Sequence, residues 1–401
     1  MSTTMAPEVT QRVKPTVVLG LASIVGLVPF AIDMYLASLP DISQEFAAPV
    51  WATQLTLTGY LLLLGAGQLV AGPITDAVGR RGPLMVGLVL FVAGAVLAAL
   101  APSMLWLIIA RLLQAVGGAL AAVVANATVR DRASGEGATQ LFAVLMTVTA
   151  LAPIIAPAVG GWLDGAWGWR SVFWALAALG AAVLLYCALF LKESHPAENR
   201  STLALGSTLR GYGSLLTSRS FVLPWAAMVS MFMLLFAYIG GASYIYQDDY
   251  GVSSEAFGLL FASTGIALMV GAFAANRLAK TVRQHTLVLT GVALAGLGAA
   301  LALTVAVTGT PIGALVGSIA VIMLGLGVSE PALMSNALSS VEENTGQAAA
   351  LLGAGQFVLG AAAAGVTGMV VAFGPTAWTA LLLAIVALAL ALSTGSARHY
   401  R

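Results

Sequence analysis

Charge is scarce in this chain. Only 8% of its 401 residues are Asp, Glu, Lys or Arg, while 60% are hydrophobic, and the mean hydropathy is +0.97. A soluble globular domain is about one quarter charged, so this chain lacks the polar surface that would keep it dissolved. Cysteine is rarer still. Cys187 stands alone in an apolar run, which excludes a disulfide framework and reads as a small buried hydrophobe. The three histidines (His195, His285 and His399) fall in loops or at span ends without metal-ligand spacing. No glycine-rich phosphate loop and no nucleophile elbow is present. The sequence calls for no metal, no cofactor and no nucleic-acid partner, and it does not read as an enzyme.

What is present is long apolar runs. No charge interrupts Gly82 to Ala110, Gly137 to Leu163 or Gln347 to Ala397, and each bilayer crossing needs about 20 apolar residues. The first apolar segment is span-length rather than the short core of a cleavable signal. Breaks at Gly, Pro and charge predict an all-α membrane protein of twelve spans. The first six cover 17–39, 51–75, 82–101, 105–128, 138–163 and 170–191. The second six cover 221–246, 255–276, 285–308, 312–335, 346–371 and 376–395. Two pseudo-symmetric six-helix bundles, 1–191 and 221–401, are thus expected about a polar cytoplasmic linker, 192–220.

Lys and Arg orient the chain. With a cytoplasmic N-terminus, Arg12, Lys14, Arg80, Arg81, Arg130, Arg132, Lys192, Arg200, Arg210, Arg219, Arg277, Lys280, Arg283, Arg398 and Arg401 all lie inside. Arg170 alone falls outside and Arg111 falls within a span. Six acids (Asp41, Glu45, Asp164, Asp248, Asp249 and Glu255) fall outside. The halves also echo each other. "GPITDAVGRR" from Gly72 aligns with "AFAANRLAKT" from Ala272, matching Asp76 to Asn276, Gly79 to Ala279 and Arg80 to Lys280. Parallel repeats about the membrane normal are a transporter architecture. Alternating access needs such a design, and a rigid channel does not.

Three charges lie inside spans. Asp33 is roughly 24 Å along the first helix and Arg111 about 9 Å from the outer end of the fourth, at 1.5 Å per residue, so opposite signs share one depth. Such charges usually face a partner or a cavity. Burial favours the neutral form of a carboxyl and a nearby guanidinium the ionised form, while arginine stays charged. Asp33 is therefore the expected titrating group of a candidate Asp33–Arg111 pair, unless it merely anchors the span end or Arg111 merely clamps helices. Glu330, beside Pro331, reads either as an interfacial snorkelling residue or as a second protonatable group.

In "GPITDAVGRRGP", Gly72 is expected to allow close helix contact, Asp76 to end the span and Gly79 to turn the chain, with Arg80 and Arg81 following. With Arg130 and Asp131 they are expected to form a charge network that shuts the cytoplasmic mouth. In the fifth span, Pro153 and Pro157 bend the helix, and Gly160 and Gly161 admit a close neighbour, a combination that reads either as inert packing or as a pliable gating seal between cavity and outside. Polar and aromatic residues recur within spans: Tyr35, Gln54, Tyr60, Gln68, Gln114, Asn126, Tyr238, Tyr244, Asn336 and Gln356. Some serve as helix–helix glue and some line a mostly apolar pocket, with Tyr35, Tyr60, Gln114, Tyr238 and Gln356 joining Asp33 as substrate-binding candidates.

These segments resemble the major facilitator superfamily, and within it the bicyclomycin/chloramphenicol-resistance (Bcr/CflA) drug:proton antiporters. The likeness rests on "IDMYLASLP", residues 54–84, "RLLQAVGGA", "ATVRD", "WGWRSVFW" and "APIIAPAVGG". Ala37 and Ala156 stand where the group has proline and glycine, and Val25 where some relatives carry a second acid. The resemblance implies proton-driven efflux of small, mostly neutral or amphipathic antibiotics by a single chain in the bacterial cytoplasmic membrane. It assigns Asp33 to coupling, Arg111 and Gln114 to proton and substrate handling, and Asp76, Arg80 and Arg81 to gating. The partners are then a drug, protons and lipid. Export of an endogenous metabolite, or passive uniport, are the alternatives within the same fold.

Overall fold

Helix is the form in which an apolar chain satisfies its own backbone in lipid. The computed structural model describes residues 13–200, 205–341 and 345–397, and within them holds only helices and their connections. The first six spans are α1 (Pro15–Asp33) continued by α2 (Leu39–Glu45), α3 (Val50–Val78), α4 (Arg81–Ala99), α5 (Met104–Arg132), α6 (Gly135–Trp167) and α7 (Trp169–Phe190). After α8 (Leu205–Thr217) come α9 (Arg219–Tyr244), α10 (Ser254–Leu278), α11 (Gln284–Thr308), α12 (Ile312–Ser339), α13 (Thr345–Val370) and α14 (Gly374–Ala397). Spans one to six pack on each other, as do spans seven to twelve. Every expected span has its helix. Gly374, at φ +84°, supplies the reversal between α13 and α14 in a segment that is otherwise continuously apolar. Arg12, Arg398, Arg401, His399 and residues 201–204 of the linker lie outside the described residues.

The segment 192–220 differs from the plain linker expected. It contains α8, which buries Tyr212 and Leu215 against Phe221, Ala348 and Leu351, and the Tyr212 hydroxyl donates to the Leu69 carbonyl at 3.2 Å. The first span also differs. Its helix stops at Asp33, passes through a turn and a 3-10 segment (Leu36–Ser38), and resumes at Leu39. Pro40 explains the break: it has no N–H to return to the Leu36 carbonyl. The hydroxyl of Ser243 in α9 donates to that carbonyl at 2.6 Å, and Gln247 Nε2 donates to the Ala37 carbonyl at 2.9 Å.

Two seams join the bundles, α3 against α13 and α6 against α10. Glycine makes both close. A Cβ at Gly65 would stand 2.9 Å from the Ala354 carbonyl oxygen. One at Gly161 would overlap the Ser254 carbonyl, and one at Gly258 the Pro157 carbonyl. Gly160 presses on the break itself, where a Cβ would overlap the Met34 carbonyl. Both prolines of α6 lie within one continuous helix. Pro157 leaves the Pro153 carbonyl without its helical donor, and Gly265 of α10 sits opposite that carbonyl. Gly72 corrects an expectation. Among the described residues nothing lies within 4 Å of its Cβ position, so it mediates no close helix contact there.

These two glycines make a test. Gly160→Ala forces its methyl into backbone and is expected to cost about 1–3 kcal/mol, seen as a lowered thermal midpoint of the purified protein. Gly72→Ala should stay within about 0.5 kcal/mol. Equal shifts in the two variants would contradict this account of the contact between α6 and the α1 break.

Candidate functional site: a cavity between the bundles

Between the bundles lies a cavity of about 350 Å³. Its walls are mostly apolar, with Phe232, Phe236, Phe261 and Phe357 among them, and its polar groups include Asp33, Gln68, Asn126, Tyr238 and Gln356. At the acidic end it is roofed by the α1 break, held across the bundles by Ser243, Gln247 and the Gln54–Gly240 carbonyl bond. Its lining extends the other way to Asn126 and Met146, both exposed.

Asp33 ends α1 at the cavity wall and is only 4% exposed. Among the described residues its carboxyl makes no ion pair and no hydrogen bond. This corrects the expected Asp33–Arg111 pair. Arg111 does reach the same depth, because its Nη2 donates to the Ala31 carbonyl at 2.9 Å. Its Nη1, however, donates to Gln114 Oε1 at 2.6 Å. The guanidinium carbon lies 4.2 Å from the Tyr35 ring centroid and 4.3 Å from that of Tyr60, with Phe173 at 5.7 Å. Its Nε finds no acceptor, so aromatic faces supply the remaining stabilisation of the cation. The arginine is boxed inside the first bundle, which leaves the aspartate open to the cavity.

That box also corrects the pocket. Tyr35, Tyr60 and Gln114 were expected to bind substrate, yet they are fully buried around Arg111 and do not line the cavity. Tyr238 and Gln356 do line it. The Tyr238 hydroxyl pairs with Thr264 at 2.8 Å, and its ring stacks on Phe261 at 5.0 Å. Glu330 is partly buried in α12, away from this lining, and pairs with no cation among the described residues.

At the basic end, Gly79 takes φ +95° and turns the chain from α3 into α4. Asp76 falls within the last turn of α3 rather than ending it. Arg80 binds Asp76 at 2.5 Å and Asp131 at 3.0 Å, and also the Thr75 hydroxyl at 2.9 Å. Arg81 donates to the Ala188 carbonyl at 2.9 Å. Arg130 is exposed and makes no ion pair among the described residues, contrary to the expected network. Glu193 takes a place that sequence reasoning missed, receiving the backbone N–H of Arg80 at 2.9 Å and of Arg81 at 3.1 Å. Burial opposes its charge, but the N–H groups of Arg80, His195, Arg81 and Ser194 outweigh burial and hold the carboxyl below its ordinary value. The network therefore ties α3, α4, α5 and the start of the linker together. Among the described residues it makes no bond to the second bundle.

The family model described as Major Facilitator Superfamily matches residues 21–365. The chain is 35% identical over 356 residues to the uncharacterised MFS-type transporter YdgK of Bacillus subtilis strain 168, covering 88% of each. It is 27% identical to a bicyclomycin resistance protein homolog of Haemophilus influenzae, covering 86% of each, and 27% identical to the multidrug resistance protein MdtL of Klebsiella pneumoniae, covering 83% of each. A peptide transporter POT solved with sulfate superposes with a TM-score of 0.77 at 15% identity, over 96% of this chain and 94% of that one. A D-xylose–proton symporter gives 0.73 at 18% identity, over 93% and 96%.

The aromatic box predicts that charge alone does not suffice at position 111. Arg111→Lys keeps the cation but loses the planar fork and the stacking. It should lower stability by about 2 kcal/mol or more, read from thermal unfolding. A lysine variant as stable as wild type would show that the box holds nothing together.

Proposed function

The chain belongs to the Major Facilitator Superfamily, and from that premise we propose that it is a proton-coupled exporter of small, mostly neutral or amphipathic drugs, chloramphenicol- or bicyclomycin-like antibiotics among them. One observation carries the reading: a lone carboxyl, Asp33, faces a largely apolar cavity between two bundles while the arginine at its depth is boxed away. A carboxyl in such a place is costly to keep ionised, so proton and cargo compete for it. Arrival of a drug displaces the proton, or the proton the drug, and the exchange couples the two flows. Alternating access follows from the seams, since closure at one end uses cross-bundle contacts that opening must break.

The relatives' printed names, a bicyclomycin resistance homolog and a multidrug resistance protein, favour drug cargo. With both termini and the basic end on the cytoplasmic side, the cavity reaches toward the cytoplasm, ready to load from within. Asp33, Tyr238 and Gln356 are the proposed cargo contacts. Arg111 with Gln114 positions the α1 break that carries Asp33. Glu330 is proposed as an accessory protonatable group. Asp76, Arg80, Arg81 and Asp131 brace the cytoplasmic end, while Pro153, Pro157 and Gly161 form the seam that must slide and Gly160 seats the α1 break against it. The working unit in this reading is a monomer in the bacterial cytoplasmic membrane.

The test uses inside-out vesicles that hold a pH gradient. Adding drugs from a panel headed by chloramphenicol should collapse part of the gradient with wild type and leave it intact with Asp33→Asn. Equal responses from the two would remove Asp33 from the coupling.

A further inference from the structure

Away from the cavity, the α6–α10 seam contains a second buried acid. Asp164 sits in the last turn of α6, where a residue at a span end is ordinarily solvated, yet it is 4% exposed. Its Oδ1 accepts the Ser38 hydroxyl at 2.8 Å, from the 3-10 segment of the α1 break. Its Oδ2 is buried and receives no donor. Two groups lie within hydrogen-bonding reach of this carboxyl, the Ser254 hydroxyl and the Asp41 carboxyl. Ser254 is turned to Gln247 Oε1 at 3.2 Å. Asp41, in α2, has no hydrogen to offer while it is ionised.

Among the described residues no cation pairs with Asp164 or Asp41. From the second bundle, Asp248 acts on Asp41 as a like charge, with Asp249 beside it. The Glu255 carboxylate lies over Gly165, next to Asp164, where a Cβ would overlap it. Arg170, the cation nearest in sequence, is occupied by Glu45 at 2.7 Å. No set of three side chains suited to a metal occurs among the described residues. Two carboxyls in hydrogen-bonding contact cannot both ionise without a cation between them, and the usual solution is one shared proton. Asp41 is exposed whereas Asp164 is not, so a proton can reach the buried member from the water at this end.

We propose that Asp164 and Asp41 bind one shared proton in the closed seam, so that the acidic end of the carrier closes on a proton taken from its own side and opens when that proton leaves. The site is distinct from Asp33. Asp41 and Asp164 belong to the first bundle, and Asp248, Ser254 and Glu255 to the second. Loss of the proton therefore adds repulsion across the seam that Gly161 and Ser254 close. The sign follows from linkage: closure buries the pair against the acids of the second bundle, so the closed form binds the shared proton more tightly than the open form, acid favours closure and rising pH favours opening.

Spin labels at Ala166→Cys and Ala314→Cys, exposed positions at the acidic ends of α6 and α12, report the opening in the full chain; native Cys187 is buried and stays in place. Distances measured by pulsed electron resonance in lipid nanodiscs should show an open-to-closed ratio that rises with pH by up to about tenfold per unit, the limit for one linked proton. Asp164→Asn, which mimics the protonated acid, should stay closed at every pH. Asp41→Asn, at an exposed position that folding tolerates, should also lose the response. Asp33→Asn should keep it, which separates this site from the coupling acid. A wild-type distance indifferent to pH, or an Asp164→Asn or Asp41→Asn variant that titrates as wild type does, overturns the proposal, and so does loss of the response in Asp33→Asn.

Discussion

An ionised carboxyl inside an apolar cavity needs a cation or a proton, and in this protein the available cation has been taken away. Arg111 is held by Gln114, the Ala31 carbonyl and the faces of Tyr35 and Tyr60. Asp33, two residues beyond Ala31, is left with the cavity. Much of the local architecture serves this separation. Pro40 breaks the first span just past the acid, and the break gives its carbonyls to Ser243 and Gln247 of the opposite bundle. The same few residues thus hold the acid, roof the cavity and join the two halves.

The seams are built from backbone more than from side chains. Gly161 and Gly258 bring carbonyls of one bundle against the other with no room for a methyl group, and Gly160 meets the Met34 carbonyl of the α1 break within its own bundle. Such contacts hold through packing, as rocking of two bundles requires. The charged network around Arg80 behaves otherwise. It stays on one side of the dividing plane and binds α3, α4, α5 and the linker's first residues into a unit. Rigidity within a bundle and mobility between bundles are thereby assigned to different chemistry.

Hydropathy and the Lys/Arg pattern made the spans legible, because lipid imposes one rule on every helix. Asp33 was legible for the same reason, as a charge where none is cheap. Its relation to Arg111 was not. Shared depth was readable from rise per residue, but the rings that enclose the guanidinium come from the α1 break and two other helices, α3 and α7, and sequence does not say which faces meet. Asp164 was taken for a loop acid because it follows the last apolar residues of its span, and only Ser38 and the helix break reveal its burial. Gly72 and Gly160 look alike in sequence, and one faces open space while the other faces a carbonyl. Glu193 lay unseen in a polar segment, since its partners are backbone N–H groups with no signature of their own.

The central claim is that the cavity acid is where proton and cargo meet. Proton release on cargo binding tests it most directly, measured with a pH indicator in weakly buffered purified protein titrated with a transported drug. Wild type should release protons as the drug binds, and Asp33→Asn should bind the drug with no release. Full release from the asparagine variant would contradict the claim, because the exchanged proton would then reside elsewhere.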